Sequence, residues 1–231
     1  MHNLALPHNK LQLWPTPVFI YKYRDWPYDK KSLLDVIDLE EQKRTRDIQS
    51  GIAETVKTKG LKESDFDFLK KTSEYPSLDK FVDFFEEAIA DVVTNALPTE
   101  SPYYKIAAEH KTVTPKIFES WYHKTNNGGA HGLHCHPGSS WAGIFYVNTP
   151  NCDIKTNNGV NRFHNVNSLY GPGDLGSHFW NSPSTMAVPP EEGTLVMFPA
   201  WTYHEATPYY GDEDRIVIAF NSVVLAGEHH D

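Results

Sequence analysis

The stretch Glu119–Asn148, ESWYHKTNNGGAHGLHCHPGSSWAGIFYVN, decides how the rest of the chain is read. It places His131, His134 and His136 within six positions, behind Gly128-Gly129 and ahead of an aromatic run. On an extended strand, side chains return to one face every second residue. His134 and His136 then stand about 6.5–7 Å apart along one face. Both imidazoles can reach one ion from there at roughly 2.0–2.1 Å, while Cys135 turns the other way. A third ligand must come from elsewhere in the chain, and His204 in FPAWTYHEATP is the candidate.

The bulk of the chain narrows the function classes. At 231 residues, 39% apolar and 22% charged, it is long enough for one well-buried globular domain. A net charge of -9 argues against phosphate backbones and anionic membranes as partners. Neither nucleic acid nor a membrane is expected. Cys135 and Cys152 make neither a disulfide framework nor a CxxC zinc pattern. The N-terminal residues lack a basic region followed by an apolar run, and no stretch approaches a membrane span. A soluble, cytoplasmic protein is the expectation.

Outward from the histidine segment, two kinds of patterning divide the chain. Leu13–Tyr23, rich in β-branched and aromatic residues, reads as a first strand with an irregular, proline-containing entry. Asp29–Arg46 reads as a helix by the spacing of Leu33, Leu34 and Ile37. Ile48–Tyr75 is polar and reads as a surface loop with a short helix. Ser77–Ala96 is a helix with Ser77 at its cap and Phe81, Phe85, Ile89, Val92 and Ala96 on one stripe. Pro98 ends it.

From Thr114 onward the pattern changes to short apolar runs punctuated by Gly, Pro and Asn, including WAGIFYVN, NRFHNV, SHFW, TLVMF and RIVIAFNSVVL. Many short strands of this kind make a sandwich or barrel. The expected fold is α+β and mostly β, a single domain over 1–231. Residues 1–112 form a strand-and-helix support, and residues 113–226 form a jelly-roll core carrying the metal site. The polar loops Asn157–Asn167 and Gly171–Ser184 are candidates to cover a substrate.

With these motifs in order, the chain resembles the prolyl-hydroxylase-like 2-oxoglutarate/Fe(II) oxygenases. Tyr122, Gly128-Gly129, His134-x-His136 and Phe145-Tyr146-Val147-Asn148 resemble the family's first metal-binding segment. Glu192–Pro199, His204 and Arg215 resemble the second, in which a glycine turn, an apolar strand, the distal His and a basic residue follow in sequence. The resemblance implies a double-stranded β-helix, a cupin-like barrel. It implies Fe(II) held by His134, His136 and His204, and 2-oxoglutarate as cosubstrate. It also implies Arg215 and Tyr146 on the cosubstrate's far carboxylate, Tyr122 near its metal-bound end, and hydroxylation of a small-molecule or peptidyl substrate. No catalytic side chain beyond the metal ligands is implied.

The chain departs from the family at His136, where Asp or Glu is usual. Three imidazoles also suit zinc. A zinc hydrolase or lyase, with Glu119 or Glu205 as general base, therefore stands as an alternative, as does a non-catalytic cupin-like module. Asp153 and Asp174 are alternative acidic ligands. For Arg215 the alternative is a surface ion pair with Asp212, Glu213 or Asp214.

Overall fold

The structure, a computed structural model, describes residues 16–43, 58–96, 113–165 and 184–226. Its strands are β1 (Phe19–Lys22), β2 (Leu61–Glu63), β3 (Val113–Thr125), β4 (Gly129–His134) and β5 (Trp141–Asn148), followed by β6 (Asn161–His164), β7 (Thr185–Ala187), β8 (Thr194–Pro199), β9 (His204–Tyr209) and β10 (Arg215–Ala226). Two α-helices, α1 (Trp26–Lys43) and α2 (Asp79–Ala96), precede most of them. The strands form a six-stranded sheet in the order β1-β8-β5-β10-β3-β2 and a four-stranded sheet in the order β4-β9-β6-β7. All strand pairs are antiparallel. The two sheets are the walls of a double-stranded β-helix, with both helices on the outer face of the larger one.

The apolar runs of the larger sheet are continuous because both of its faces are covered. Along β5, Phe145 and Val147 face the helices, while Ile144 and Tyr146 face the smaller sheet. Phe81, Phe85, Ile89 and Val92 of α2 are fully buried against the first face. Phe85 stacks on Phe220 of β10 with ring centroids 5.0 Å apart and meets Phe145 edge-on at 5.3 Å. On the second face, Ala142, Ile144, Tyr146, Val196, Phe198 and Val217 pack with Phe163 and Val188.

Several elements differ from the sequence reading in their bounds. The first strand is Phe19–Lys22, and residues 13–15 of the expected strand lie outside the described ones. Helix α1 starts at Trp26, three residues earlier than the apolar spacing indicates. Pro27 follows as a residue that needs no hydrogen-bond acceptor in a first turn, and Trp26 is buried. Residues 44–46 of the expected helix are outside the description. Ser77 does not cap α2, because it sits inside a 3-10 turn, Pro76–Leu78, that drives Leu78 into the core before α2 begins.

The polar stretch read as a loop with a short helix, described from residue 58 to 75, holds a strand as well. Its β2 pairs with β3, and a second 3-10 segment, Phe68–Ser73, buries Phe68 and Leu69. The SHFW run at 177–180, His178, Asp174 and most of the loop 171–184 fall outside the described residues. Among the described residues, no helix is long and apolar enough to cross a membrane.

Candidate active site

A tight turn joins β3 to β4. Asn127 (φ 52°) and Gly128 (φ 79°) take left-handed backbone angles, and Gly129 N donates to Asn126 O at 2.8 Å. The glycine pair thus serves the crossing from the larger sheet to the smaller one, and a Cβ on Gly129 would run into the Gly60 backbone. Strand β4 pairs with β9 in a register that sets His134 opposite His204. The strand ends at His134. His136 lies beyond it, with its N–H donating to Ala200 O at 2.8 Å, so the backbone past Cys135 is pinned beside the end of β8. The two histidines therefore do not project from one regular strand, as their spacing alone would have them.

The three imidazoles nevertheless converge. One nitrogen from each of His134, His136 and His204 lies within 4.8 Å of the others, an arrangement that could hold a metal ion. His136 Nε2 and His204 Nε2 are 3.3 Å apart. Two backbone carbonyls fix the tautomers: His134 Nδ1–H donates to Gly132 O at 2.7 Å, and His204 Nδ1–H donates to Thr202 O at 3.0 Å. In that tautomer Nε2 is the nitrogen of each ring that carries a lone pair, the atom a metal ion would take. Burial, reinforced by the neighbouring imidazoles, pushes His136 down to about 3 and His204 well below its ordinary value. These two rings are held neutral at pH 7, which is the metal-binding form. Phe198 packs edge-on against His204 at 4.6 Å, and His131 stacks on His134 at 3.9 Å.

A cavity runs from these rings to Arg215, with Trp121, His123, His131 and Asn161 in its walls. Arg215 is only 1% exposed. Its Nε donates to Gly159 O and its Nη2 to Asn161 Oδ1, both at 2.7 Å. Gly159 takes a left-handed φ of 64°, and a Cβ there would collide with Tyr209 and press on Arg215 and Cys152. Among the described residues, no carboxylate forms an ion pair with Arg215; Asp214 instead accepts from Asn126 Nδ2 at 3.3 Å. The surface-ion-pair reading of Arg215 does not hold. A buried guanidinium without a counter-charge costs several kcal/mol (~3–5), and a bound anion offsets that cost.

Two hydroxyls beside it are also unpaired. Tyr146 is fully buried, its ring centroid 6.0 Å from the guanidinium carbon, and its OH has no partner among the described residues. Burial pushes that phenol up, so it stays a donor. Thr125 is the cross-strand partner of Arg215, and its buried Oγ1 likewise lacks a partner. Guanidinium, phenol and hydroxyl together form a donor set for a carboxylate.

Tyr122 is not brought to this cavity. Trp121 and His123 face inward from β3, so Tyr122 between them must face the helices. Its OH donates to Glu41 Oε1 at 2.7 Å, and its ring lies edge-on to Phe68 at 5.1 Å. The expectation that it approaches the metal-bound end is corrected by that alternation. Asp153 is bonded within its own turn, to Lys155 N and Thr156 Oγ1, away from the imidazoles. Glu205 is held by Arg162 and His164, and Glu119 accepts from Asn221. Thr125, Trp121, Asn161 and His123 were not singled out from the sequence. His123 bonds Glu63, at 2.8 Å, while also walling the cavity.

The β-helix thus encloses clustered imidazoles at one end of a cavity and a buried arginine at the other. Residues 119–221, somewhat under half of the chain, match the family described as "Putative 2OG-Fe(II) oxygenase". No curated protein matches the sequence. Among solved structures, a Pseudomonas putida prolyl-4-hydroxylase is similar with a TM-score of 0.56 at 10% identity, over 89% of this chain and 92% of that one. A prolyl hydroxylase from Trichoplax adhaerens, in complex with a peptide fragment of the hypoxia inducible factor oxygen degradation domain, gives 0.56 at 13%, over 89% and 83%. A 2OG-Fe(II) oxygenase family oxidoreductase from Burkholderia pseudomallei gives 0.50 at 9%, over 93% and 88%. At such identities the likeness is one of fold. Over residues 119–221, then, the chain is similar to the 2-oxoglutarate/Fe(II) oxygenases.

Proposed function

We propose that the protein is a 2-oxoglutarate- and Fe(II)-dependent dioxygenase that hydroxylates a small-molecule or peptidyl substrate. His134, His136 and His204 are its metal ligands. Arg215 and Tyr146, joined by Thr125, anchor the far carboxylate of the cosubstrate. The observation that carries this reading is a single cavity holding three mutually facing imidazoles and a buried guanidinium that no described carboxylate neutralises.

Bound together, Fe(II) and 2-oxoglutarate supply an O2-dependent oxidation in which the cosubstrate leaves as succinate and carbon dioxide. The chain's own part is placement. His134, His136 and His204 would hold the ion and leave other coordination positions for cosubstrate and O2. Because imidazole ligands bring no negative charge, the charge of a divalent ion would be offset by the dianionic cosubstrate rather than by the protein. Arg215 complements the other end with a planar fork that suits a carboxylate. Ile144, Phe198 and Val217 keep the space between them apolar and exclude water.

The all-imidazole set also favours zinc on coordination grounds, but hydrolysis needs a free base beside the metal. Glu205 is held by Arg162 and His164, and it follows His204 on the opposite face of β9. Glu119 is engaged by Asn221. Anaerobic addition of 2-oxoglutarate to the Fe(II)-loaded protein tests the choice. A visible charge-transfer band, and succinate on admitting air, are expected. A protein that shows neither, and that turns over a hydrolysable substrate with zinc alone, is not an oxygenase.

A further inference from the structure

The inward faces of β3 and β10 continue past the imidazoles, away from Arg215. Arg215, Val217, Ala219 and Asn221 follow at every second position, opposite Thr125, His123, Trp121 and Glu119. From Arg215 to Asn221 the strand covers about 20 Å. A five-carbon diacid anchored at Arg215 and reaching the imidazoles ends well short of that. Trp121 lies beside the triad, its ring centroid 6.0 Å from that of His136. On the dioxygenase reading above, which this inference rests on, the end marked by Trp121 and Asn221 is what remains for the substrate.

Two buried groups there have no partner among the described residues: Trp121 Nε1 and Asn221 Oδ1. Trp121 is 4% exposed and lines the cavity, and Asn221 is 6% exposed. The orientation of the Asn221 carboxamide is fixed. Its Nδ2 donates to Glu119 Oε2 at 3.0 Å, and a carboxylate only accepts, so Oδ1 is turned to the other side. In the β3–β10 ladder Trp121 faces Ala219 and Glu119 faces Asn221. The indole and the carboxamide are therefore diagonal neighbours on one wall, within each other's reach. Ala219, opposite the indole, contributes only a methyl and leaves room. An unpaired buried donor beside an unpaired buried acceptor is costly to maintain unless something completes both.

We propose that Trp121 and Asn221, with Glu119 holding the carboxamide in place, determine substrate specificity, and that they receive the edge of a primary carboxamide or lactam. The ligand's carbonyl oxygen accepts from Trp121 Nε1, and its N–H donates to Asn221 Oδ1. A trans peptide bond directs its C=O and N–H to opposite sides, so it cannot satisfy both groups from one wall. An anionic substrate is disfavoured, because Glu119 adjoins this end and the cavity's described cation, Arg215, stands at the other.

Ligand-observed saturation-transfer NMR on the Zn(II)-loaded protein with 2-oxoglutarate tests this, with 2-piperidone and benzamide as probes. N-methyl-2-piperidone, which lacks the donor, and N-methylacetamide, a trans amide, are the controls. The probes are expected to bind, and the controls to bind at least about tenfold more weakly. Trp121→Phe and Asn221→Leu should each weaken 2-piperidone by at least about fivefold, while leaving 2-oxoglutarate affinity within about twofold. Asn221→Ser serves where the leucine is not accommodated. Glu119→Gln, which frees the carboxamide to turn over, should level the preference for 2-piperidone over its N-methyl form. Controls that bind as well as the probes, probes that do not bind, or binding unchanged in the Trp121 and Asn221 variants would overturn the proposal. Absence of 2-oxoglutarate binding to the parent protein would count against the dioxygenase reading instead, and the lactam preference is then read on the Zn(II)-loaded protein alone.

Discussion

Tyr146 and Thr125 act in opposite senses with and without an anion beside Arg215. Without one, each is a buried hydroxyl lacking a partner, at a cost on the order of 1–3 kcal/mol. With a carboxylate in place, each becomes a donor to a charged group, worth about 1.5–3 kcal/mol. Tyr146→Phe and Thr125→Val are therefore expected to leave the cosubstrate-free protein as stable as before or slightly more so. Each should weaken 2-oxoglutarate by about tenfold or more. Urea melts and calorimetric titration read the two effects separately, and a less stable Tyr146→Phe protein with undiminished affinity would contradict the account. At this scale, residues whose chemistry is named by their type were legible in the sequence, namely His134, His136, His204 and Arg215. Thr125 and Trp121 were not, because their roles come from pairing with β10, and no local pattern states which strands pair. Tyr122 shows how sharp that dependence is, since a shift of one position along a strand reverses the face.

Among the elements, the helix α2 was visible because its apolar residues recur with the helical period, and the strands β5, β8 and β10 because they carry unbroken apolar runs bounded by turn residues. The strand β2 was not, since Leu61-Lys62-Glu63 is too short to show alternation and owes its existence to the edge of β3. The docking of α1 was also hidden, as it depends on a buried carboxylate. Glu40 is 6% exposed and accepts from Tyr75 at 2.7 Å as well as from Lys71 and Lys43. Burial raises its pKa, but the hydrogen bonds from Lys71, Tyr75 and Lys43 lower it further, and the net shift is downward from 4.5. A carboxylate whose folded value is depressed contributes stability that is complete above its unfolded value and is lost as pH falls through the folded one. Chemical denaturation should find Glu40→Ala less stable by about 3 kcal/mol at pH 7. Below pH 4.5 the gap between parent and variant should close as the parent loses the same contribution. A gap independent of pH would mean that packing, not charge, holds α1 there.

Across the whole molecule, the two walls of the barrel divide the site between them. The smaller sheet carries His134 and His204 as register partners on β4 and β9, and the larger sheet carries Arg215, Tyr146 and Thr125 on β10, β5 and β3. A metal ion on the imidazoles would engage chiefly the smaller sheet, with His136 tethered beside the end of β8, whereas 2-oxoglutarate reaching Arg215 would engage the larger sheet directly. On the proposed dioxygenase reading, the two ligands would therefore be coupled through the protein as well as by direct contact. Each stabilises the fold by mass action, about 2.7 kcal/mol at a hundredfold excess over its Kd. Together they should raise the melting temperature by more than the sum of their separate effects. Arg215→Lys keeps the charge but loses the fork, so the increment from metal alone should survive and the extra increment from 2-oxoglutarate should shrink. His204→Ala should remove both, because the cosubstrate's bridge loses its far abutment along with the ion. Thermal melts with Mn(II), with 2-oxoglutarate and with both, on these three proteins, measure the coupling directly. Purely additive shifts in the parent would place the two ligands in separate sites and break the link between the walls.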